Sequence, residues 1–341
     1  MSDGGRSGHE RPRRPRNTAE LQDQIRATRG DIRDQVRSTR AQFDEANARL
    51  TARTGRNLVG AVGLGVVLGG LVIVSLVIWK PLFVVLAMAL VGFGTSELAV
   101  ALRTAGVRVP RVGAAVGGVL AVPATYIAVL PVPDQPATAG HLPAPLVPGG
   151  WLAAVVFAVL FAVVWRLVEQ LIHRVPGRAL GRDLLVTTFV QLYVTGLAST
   201  AVVLLSQRNG QWWTLSFIVL VVSSDIFAYA TGLRFGKHPM APRISPKKTW
   251  EGLAGAAIAT IVVATLLTPW LLDRPLWFGP LFGAVILVTG TLGDLGESMI
   301  KRDIGVKDMS SWLPGHGGIL DRLDSILPSA SAALLLFFAT S

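Results

Sequence analysis

Long apolar runs alternate with short charged segments along this 341-residue chain. Runs close to the roughly 20 residues that a helix needs to cross a bilayer fall at about 57–79, 81–102, 112–133, 150–168, 184–206, 212–233, 250–272 and 275–296. A ninth, from Ile326 to the end, is shorter and contains Pro328. Hydrocarbon cannot satisfy backbone polar groups, so each run is expected to be a helix. The expected fold is all-α and polytopic, with about nine transmembrane helices.

The charged segments set an orientation, because Lys and Arg accumulate on cytoplasmic loops. One set of loops holds Arg103, Arg108 and Arg111, then Arg166, Arg174, Arg178 and Arg182. The same set continues with Arg234, Lys237, Arg243, Lys247 and Lys248, and then with Lys301, Arg302, Lys307 and Arg322. The opposite set is poor in bases, with Lys80, Asp134, Arg208 and the pair Asp273 and Arg274. This places the N-terminus in the cytoplasm, and the C-terminus outside if the ninth segment spans. A multi-pass protein of the cell's inner (plasma) membrane is expected.

Composition agrees with this picture. Hydrophobic residues make up 51% of the chain, charged residues 16%, and the mean hydropathy is +0.52, too apolar for an ordinary soluble domain. The net charge of +11 sits at span ends, where sorting and anionic headgroups account for it, so no nucleic-acid partner is expected. The absence of Cys excludes disulfides and Cys-ligated zinc. No cleavable signal peptide is visible, because the first apolar segment begins only near Asn57 and leads straight into others.

Three regions follow. Residues 1–56 form a basic cytoplasmic arm, low in complexity to about residue 17 and expected to be disordered there. Beyond it, Ile25, Ile32, Val36, Phe43 and Leu50 mark an amphipathic helix, which suits the inner leaflet or a protein partner. Residues 57–210 read as a scaffold, in which Gly113 and Gly117 allow close helix approach and Trp151, Trp165 and Tyr193 are interfacial aromatics. Glu97 lies near the end of the second span, where a carboxylate is costly without a partner; a structural ion pair and a place in the site are both open. Residues 211–341 carry most of the chemistry.

In the sixth span, Ser223, Ser224, Asp225 and Tyr229 interrupt an apolar run, and an intramembrane Asp marks a candidate site. Beyond it, Ser245 followed by Pro246 reads as a helix start, with Ser as N-cap and Pro at the first position. Lys247, Lys248 and the Thr249 hydroxyl would then flank exposed N–H groups that suit an anion. At the end of the eighth span, Asp294, Glu297, Ser298 and Lys301 share a helical face; a solvated Glu297–Lys301 pair there would contribute little. Lys301, Arg302 and Lys307 add positive charge, while Gly315, Gly317 and Gly318 around His316 let backbone close on a ligand. Asp321 and Asp324 follow, three residues apart. Carboxylates without Cys or a His cluster suit Mg²⁺, and bases beside them suit a polyphosphate. Together these point to phosphoryl or nucleotidyl transfer at the cytoplasmic membrane face.

These residues resemble the signature of the phosphatidate cytidylyltransferases, or CDP-diacylglycerol synthases. The resemblance rests on Ser298, Lys301, Arg302, Lys307, Asp308, Leu313, His316, Gly317, Gly318, Asp321, Arg322 and Asp324. Asp225, Ala228, Tyr229, Phe235, Gly236, Lys237, the SPKKTWEG stretch from Ser245 and GDLGES from Gly293 also fit. It is strong from about residue 212 onward; the basic arm departs from the pattern. It implies that CTP and phosphatidate give CDP-diacylglycerol and pyrophosphate with Mg²⁺, a second cation being left open. It also implies Asp294 as the foremost metal ligand, then Asp321, then Asp225 or Asp324, with Asp225, Asp294, Lys301, Lys307 and Asp321 as the catalytic set. Lys247, Lys248, Lys301, Arg302, Lys307 and Arg322 would share the phosphates, with Ser245, Thr249, His316, Gly317 and Gly318 completing the substrate contacts. A homodimer is compatible with the resemblance. A transporter with Asp225 and Asp294 as ion sites is the alternative from another class, and a membrane scaffold presenting the arm is a third.

Overall fold

The computed structural model describes residues 58–129, 148–173, 180–306, 309–310 and 318–340. The basic arm, the loop containing Asp134, Arg174 and Arg178, and the signature residues Lys307, His316 and Gly317 lie outside the described residues.

Nine helices follow in order among the described residues: α1 (Leu58–Val77), α2 (Lys80–Thr104), α3 (Arg111–Ala128), α4 (Pro148–His173), α5 (Leu180–Ser206), α6 (Gly210–Phe235), α7 (Trp250–Leu272), α8 (Phe278–Asp303) and α9 (Leu320–Ala339). Eight of them, α2 to α9, are long and apolar enough to cross a membrane. The last apolar segment is longer than its sequence run indicates, because Leu320–Leu323 adds a turn before the helix that restarts at Ile326. Pro328 falls in the first turn of that restart, where its missing N–H forfeits no intrahelical bond. The helices are joined by one departure from an all-α chain among the described residues, an antiparallel hairpin of β1 (Pro239–Ala241) and β2 (Ser245–Thr249).

Two apolar clusters hold the bundle. Trp213 of α6 stands edge-on to Phe282 of α8 and to Phe337 of α9, with ring centroids 5.6 and 5.3 Å away, and all three are buried. A second cluster joins α2, α5 and α9 through Leu98, Leu102, Val190, Val194, Leu320, Leu323 and Leu327. Helix α9 therefore belongs to both clusters, to the second through Leu320, Leu323 and Leu327 beside its charged start and to the first through Ala330, Leu334 and Phe337 further along. The spacing of Gly113 and Gly117 does serve close approach: a Cβ at Gly113 would collide with the Trp165 ring, and one at Gly117 would lie 3.1 Å from the Ala158 carbonyl oxygen.

One loop arginine has a different role from that expected. Arg166 is buried and pairs with buried Asp183 at 2.7 Å, while its Nε donates to the Arg108 carbonyl at 3.0 Å. The Arg108 N–H in turn donates to Asp183 at 3.2 Å. This unit ties the loop between α2 and α3 to α4 and α5. Breaking a buried pair leaves a charge uncompensated, so Asp183→Ala is expected to cost about 3–5 kcal/mol, read as a lowered unfolding temperature in detergent. Replacing both partners by apolar residues is expected to recover most of that loss.

Candidate active site

At the charged end of the bundle, α6, the hairpin, α7, α8 and α9 enclose a cavity of about 430 Å³. Helix α6 contributes Ser224, Asp225 and Tyr229; the hairpin contributes Met240, Lys247, Lys248 and Thr249. Helix α8 brings Thr291, Asp294 and Lys301, and α9 brings Asp321, Arg322, Asp324 and Ser325. Asp294 and Lys301 are seven residues apart, two turns of one helical face. Apolar side chains, among them Leu253, Ala256 and Ile286, line the rest of the wall.

Within this space the charges are interleaved. Lys248 forms an ion pair with Asp294, whose other oxygen accepts from Ser298 Oγ at 3.4 Å. Lys301 stands between two carboxylates, paired with Glu297 and with Asp321 at 3.0 Å. Glu297 is fully buried, so the Glu297–Lys301 pair is not the solvated, nearly neutral contact expected from sequence. The α8 face that carries it turns inward against α9, and removing either partner would strand a buried charge. Asp324 is buried and accepts from the Ser325 N–H at 2.6 Å. Asp225 forms no hydrogen bond or ion pair with a described residue, and faces the cavity.

Several expectations change. Ser245 does not cap a helix: it lies in β2, paired with Ala241, and does not line the cavity. The helix begins at Trp250, where extended Thr249 is the N-cap and its hydroxyl accepts from the Gly252 N–H at 3.1 Å. The physical cause is the 239–241 segment, which offers Ser245–Thr249 a strand partner; Pro246, lacking an N–H, is tolerated in a two-stranded edge. Arg302 is also outside the cavity, and its Nε donates to the Ile244 carbonyl at 3.2 Å, holding the hairpin tip against α8. Gly318 does not line the cavity either; its N–H donates to Asp321 at 2.7 Å. Thr291 and Ser325 also line the cavity, and the signal for Thr291 is its place three residues before Asp294 on the same helical face. Met240 also lines the cavity, and nothing in the sequence marked it.

The donor set fits a hard cation such as Mg²⁺. Among the described residues no three Asp, Glu or His side chains form a ready-made metal cluster. Mg²⁺ is commonly held by one or two carboxylates, with water and phosphate completing its shell, so this arrangement is compatible with the ion. Asp225 and Asp294 face the same space, Asp225 with no hydrogen bond or ion pair to a described residue and Asp294 with one contact on each oxygen, from Lys248 and Ser298, whereas Asp321 carries three, from Lys301 and from the Gly318 and Met309 N–H groups.

Fold and site together define a membrane-embedded helical bundle with a cavity of mixed charge at one end, suited to a phosphate-bearing ligand. The chain belongs to the cytidylyltransferase family, whose sequence pattern matches residues 60–340. It is 36% identical over 286 residues to the phosphatidate cytidylyltransferase of Mycobacterium bovis, covering 84% of this chain and 90% of that protein. The phosphatidate cytidylyltransferase of Mycobacterium leprae is 35% identical over 283 residues, covering 83% and 88% of the two chains. That of Brucella abortus is 41% identical over a shorter stretch of 126 residues, 37% of this chain and 46% of its own.

The cap assignment can be checked directly. Thr249→Ala is expected to lower stability by about 1 kcal/mol, the usual cost of losing an N-cap acceptor. Ser245→Ala is expected to leave the unfolding temperature unchanged, and the reverse ranking would restore Ser245 as the cap.

Proposed function

We propose that the chain is a Mg²⁺-dependent phosphatidate cytidylyltransferase, condensing CTP with phosphatidate to give CDP-diacylglycerol and pyrophosphate for phospholipid biosynthesis. The observation that carries this reading is the meeting of Lys247, Lys248, Lys301 and Arg322 with Asp225, Asp294, Asp321 and Asp324 in one cavity. The family membership and the printed names of the mycobacterial relatives support it.

In this reaction an oxygen of the phosphatidate phosphate attacks the α-phosphorus of CTP. One P–O bond forms, the bond between the α-phosphorus and the β-bridging oxygen breaks, and pyrophosphate leaves with the electron pair. The nucleophile is already anionic, so no strong general base is required. The task of the protein is to hold two anions together and to stabilise charge on the leaving group. Lys247 and Lys248, on the hairpin rim, and Arg322, at the start of α9, are placed to share the phosphates. Lys301, held by Glu297 and Asp321, sets a fixed positive charge beside them. Asp294 and Asp225 would hold Mg²⁺, with Asp324 behind them and Asp321 serving mainly to orient Lys301. The bound ion would neutralise phosphate charge and stabilise the departing pyrophosphate.

The site belongs at the cytoplasmic face of the inner membrane in this reading. Lys and Arg crowd the loops on its side of the bundle, as cytoplasmic loops do. Phosphatidate there presents its headgroup to the same boundary that cytosolic CTP reaches, and a basic rim gathers both anions. A second bound cation, a homodimer and an arm that contacts the inner leaflet or a protein partner are compatible with this reading.

Incubating the purified protein with CTP, phosphatidate and Mg²⁺ is expected to yield lipid-linked CMP and an equal amount of pyrophosphate, and chelating the metal is expected to stop both. Asp294→Asn is expected to lower kcat by about 10²- to 10³-fold, the scale for losing one preorganised charge contact, with the unfolding temperature retained. No lipid product from folded protein under several lipid and metal conditions would overturn the proposal.

A further inference from the structure

Glu97 lies on α2, outside the cavity described above, and is only 5% exposed. It is not the ion pair that an intramembrane carboxylate leads one to expect: among the described residues no basic side chain pairs with it. Its partners are instead groups of the 309–320 stretch. One oxygen accepts from Ser310 Oγ at 2.5 Å and from the Ile319 N–H at 3.1 Å, and the other accepts from the Leu320 N–H at 2.9 Å. These bonds join positions 213 to 223 residues apart in sequence. They satisfy N–H groups at the start of α9, which have no intrahelical acceptor.

The same stretch delivers Asp321 to the cavity. Gly318 donates to one Asp321 oxygen at 2.7 Å, and Lys301 pairs with the other at 3.0 Å. Gly318 thus sits between two carboxylates. A Cβ on it would stand 2.8 Å from a Glu97 oxygen and 3.3 Å from an Asp321 oxygen. Around it, buried Leu320 and Leu323 pack on Leu98 and Leu102 of the same α2 helix, so the polar clamp and the apolar contact act on one backbone segment.

We propose that Glu97 is a positioning residue for catalysis: its carboxylate fixes the backbone of residues 318–320 so that Asp321 faces Lys301 and the cavity. The role calls for a carboxylate in particular. Two oxygens accept three hydrogen bonds here, whereas a glutamine has one acceptor oxygen and in either orientation would turn its NH₂ group toward a backbone N–H, that of Ile319 or that of Leu320. Small displacements of a catalytic group cost far more in turnover than in binding, on the order of 10²-fold for about 1 Å.

The inference rests on the cytidylyl transfer proposed above, and the experiment separates the two. Kinetic constants and unfolding temperatures are measured for wild type, Glu97→Gln, Asp321→Asn and the double variant in the same lipid. Glu97→Gln is expected to lower kcat by about 10²-fold while KM for CTP stays within about threefold. The double variant is expected to turn over about as slowly as the slower single variant, because residues acting through one another are not additive. A Glu97→Gln enzyme with kcat within about twofold of wild type, or a double variant showing the full product of the two losses, overturns the role of Glu97. Where Glu97→Gln does not fold, Gly318→Ala decides: it pushes the same two carboxylates apart and is expected to lower kcat with KM retained, and full turnover overturns the proposal. Wild-type protein without turnover would instead overturn the assigned reaction and not this reading of the clamp alone.

Discussion

Carboxylates that crowd one end of an apolar bundle must be offset by cations or hydrogen-bond donors or give up their charge, and this constraint shapes the charged end of the molecule. Lys301 lies between Glu297 and Asp321, and Lys248 reaches from the hairpin to Asp294. Each lysine belongs to a different element from at least one of its partners, so the pairs fix α8, α9 and the hairpin relative to one another. The same arrangement leaves Asp225, whose carboxylate has no described partner, facing the cavity. A cation and phosphates entering there would meet a lattice of charge already held in place, which is the condition under which electrostatic stabilisation is effective.

The supporting structure is organised so that this lattice does not relax. Trp213 and its aromatic neighbours lock α6 to α8 and α9, and the cluster around Leu98 and Leu320 locks α9 to α2 and α5. Hydrogen bonds set the remaining register. Glu251 of α7 accepts from the Lys237 and His238 N–H groups at 3.2 and 3.3 Å, closing the turn after α6. Arg302 holds the far tip of the hairpin through the Ile244 carbonyl. The hairpin that carries Lys247 and Lys248 is thereby secured at both ends, although it is exposed along much of its length.

Much of this was legible in the sequence, for a physical reason. A charged residue inside an apolar run is costly, so Asp225 and Asp294 stood out without any knowledge of the fold. The bilayer length made the spans from the second onward legible in the same way, although α8 runs seven residues past its apolar run and α9 begins six residues before its own. What the sequence hid depends on partners that lie outside each residue's local pattern. Ser245 and Pro246 have the local pattern of a helix start, and only the nearby 239–241 segment makes them a strand. Glu297 and Lys301 look like a surface pair until α9 covers them. Arg166 looks like one more loop arginine, yet it is buried against Asp183. Arg302 shares the signature with Lys301, but a helix sends adjacent residues to different faces, and only one of the two faces the cavity. Lys307, His316 and Gly317 lie outside the described residues, and their part in the site rests on the resemblance alone.

On the proposed function, the nucleotide binds in the cavity between α6, the hairpin, α8 and α9. Photo-crosslinking tests this most directly: the purified protein is irradiated with a CTP analogue bearing a photoreactive group on its base, and the adducts are located by peptide mapping. Adducts are expected within 221–256, 286–301 or 321–325, suppressed by unlabelled CTP. Competable adducts confined to α2 through α5 would contradict it.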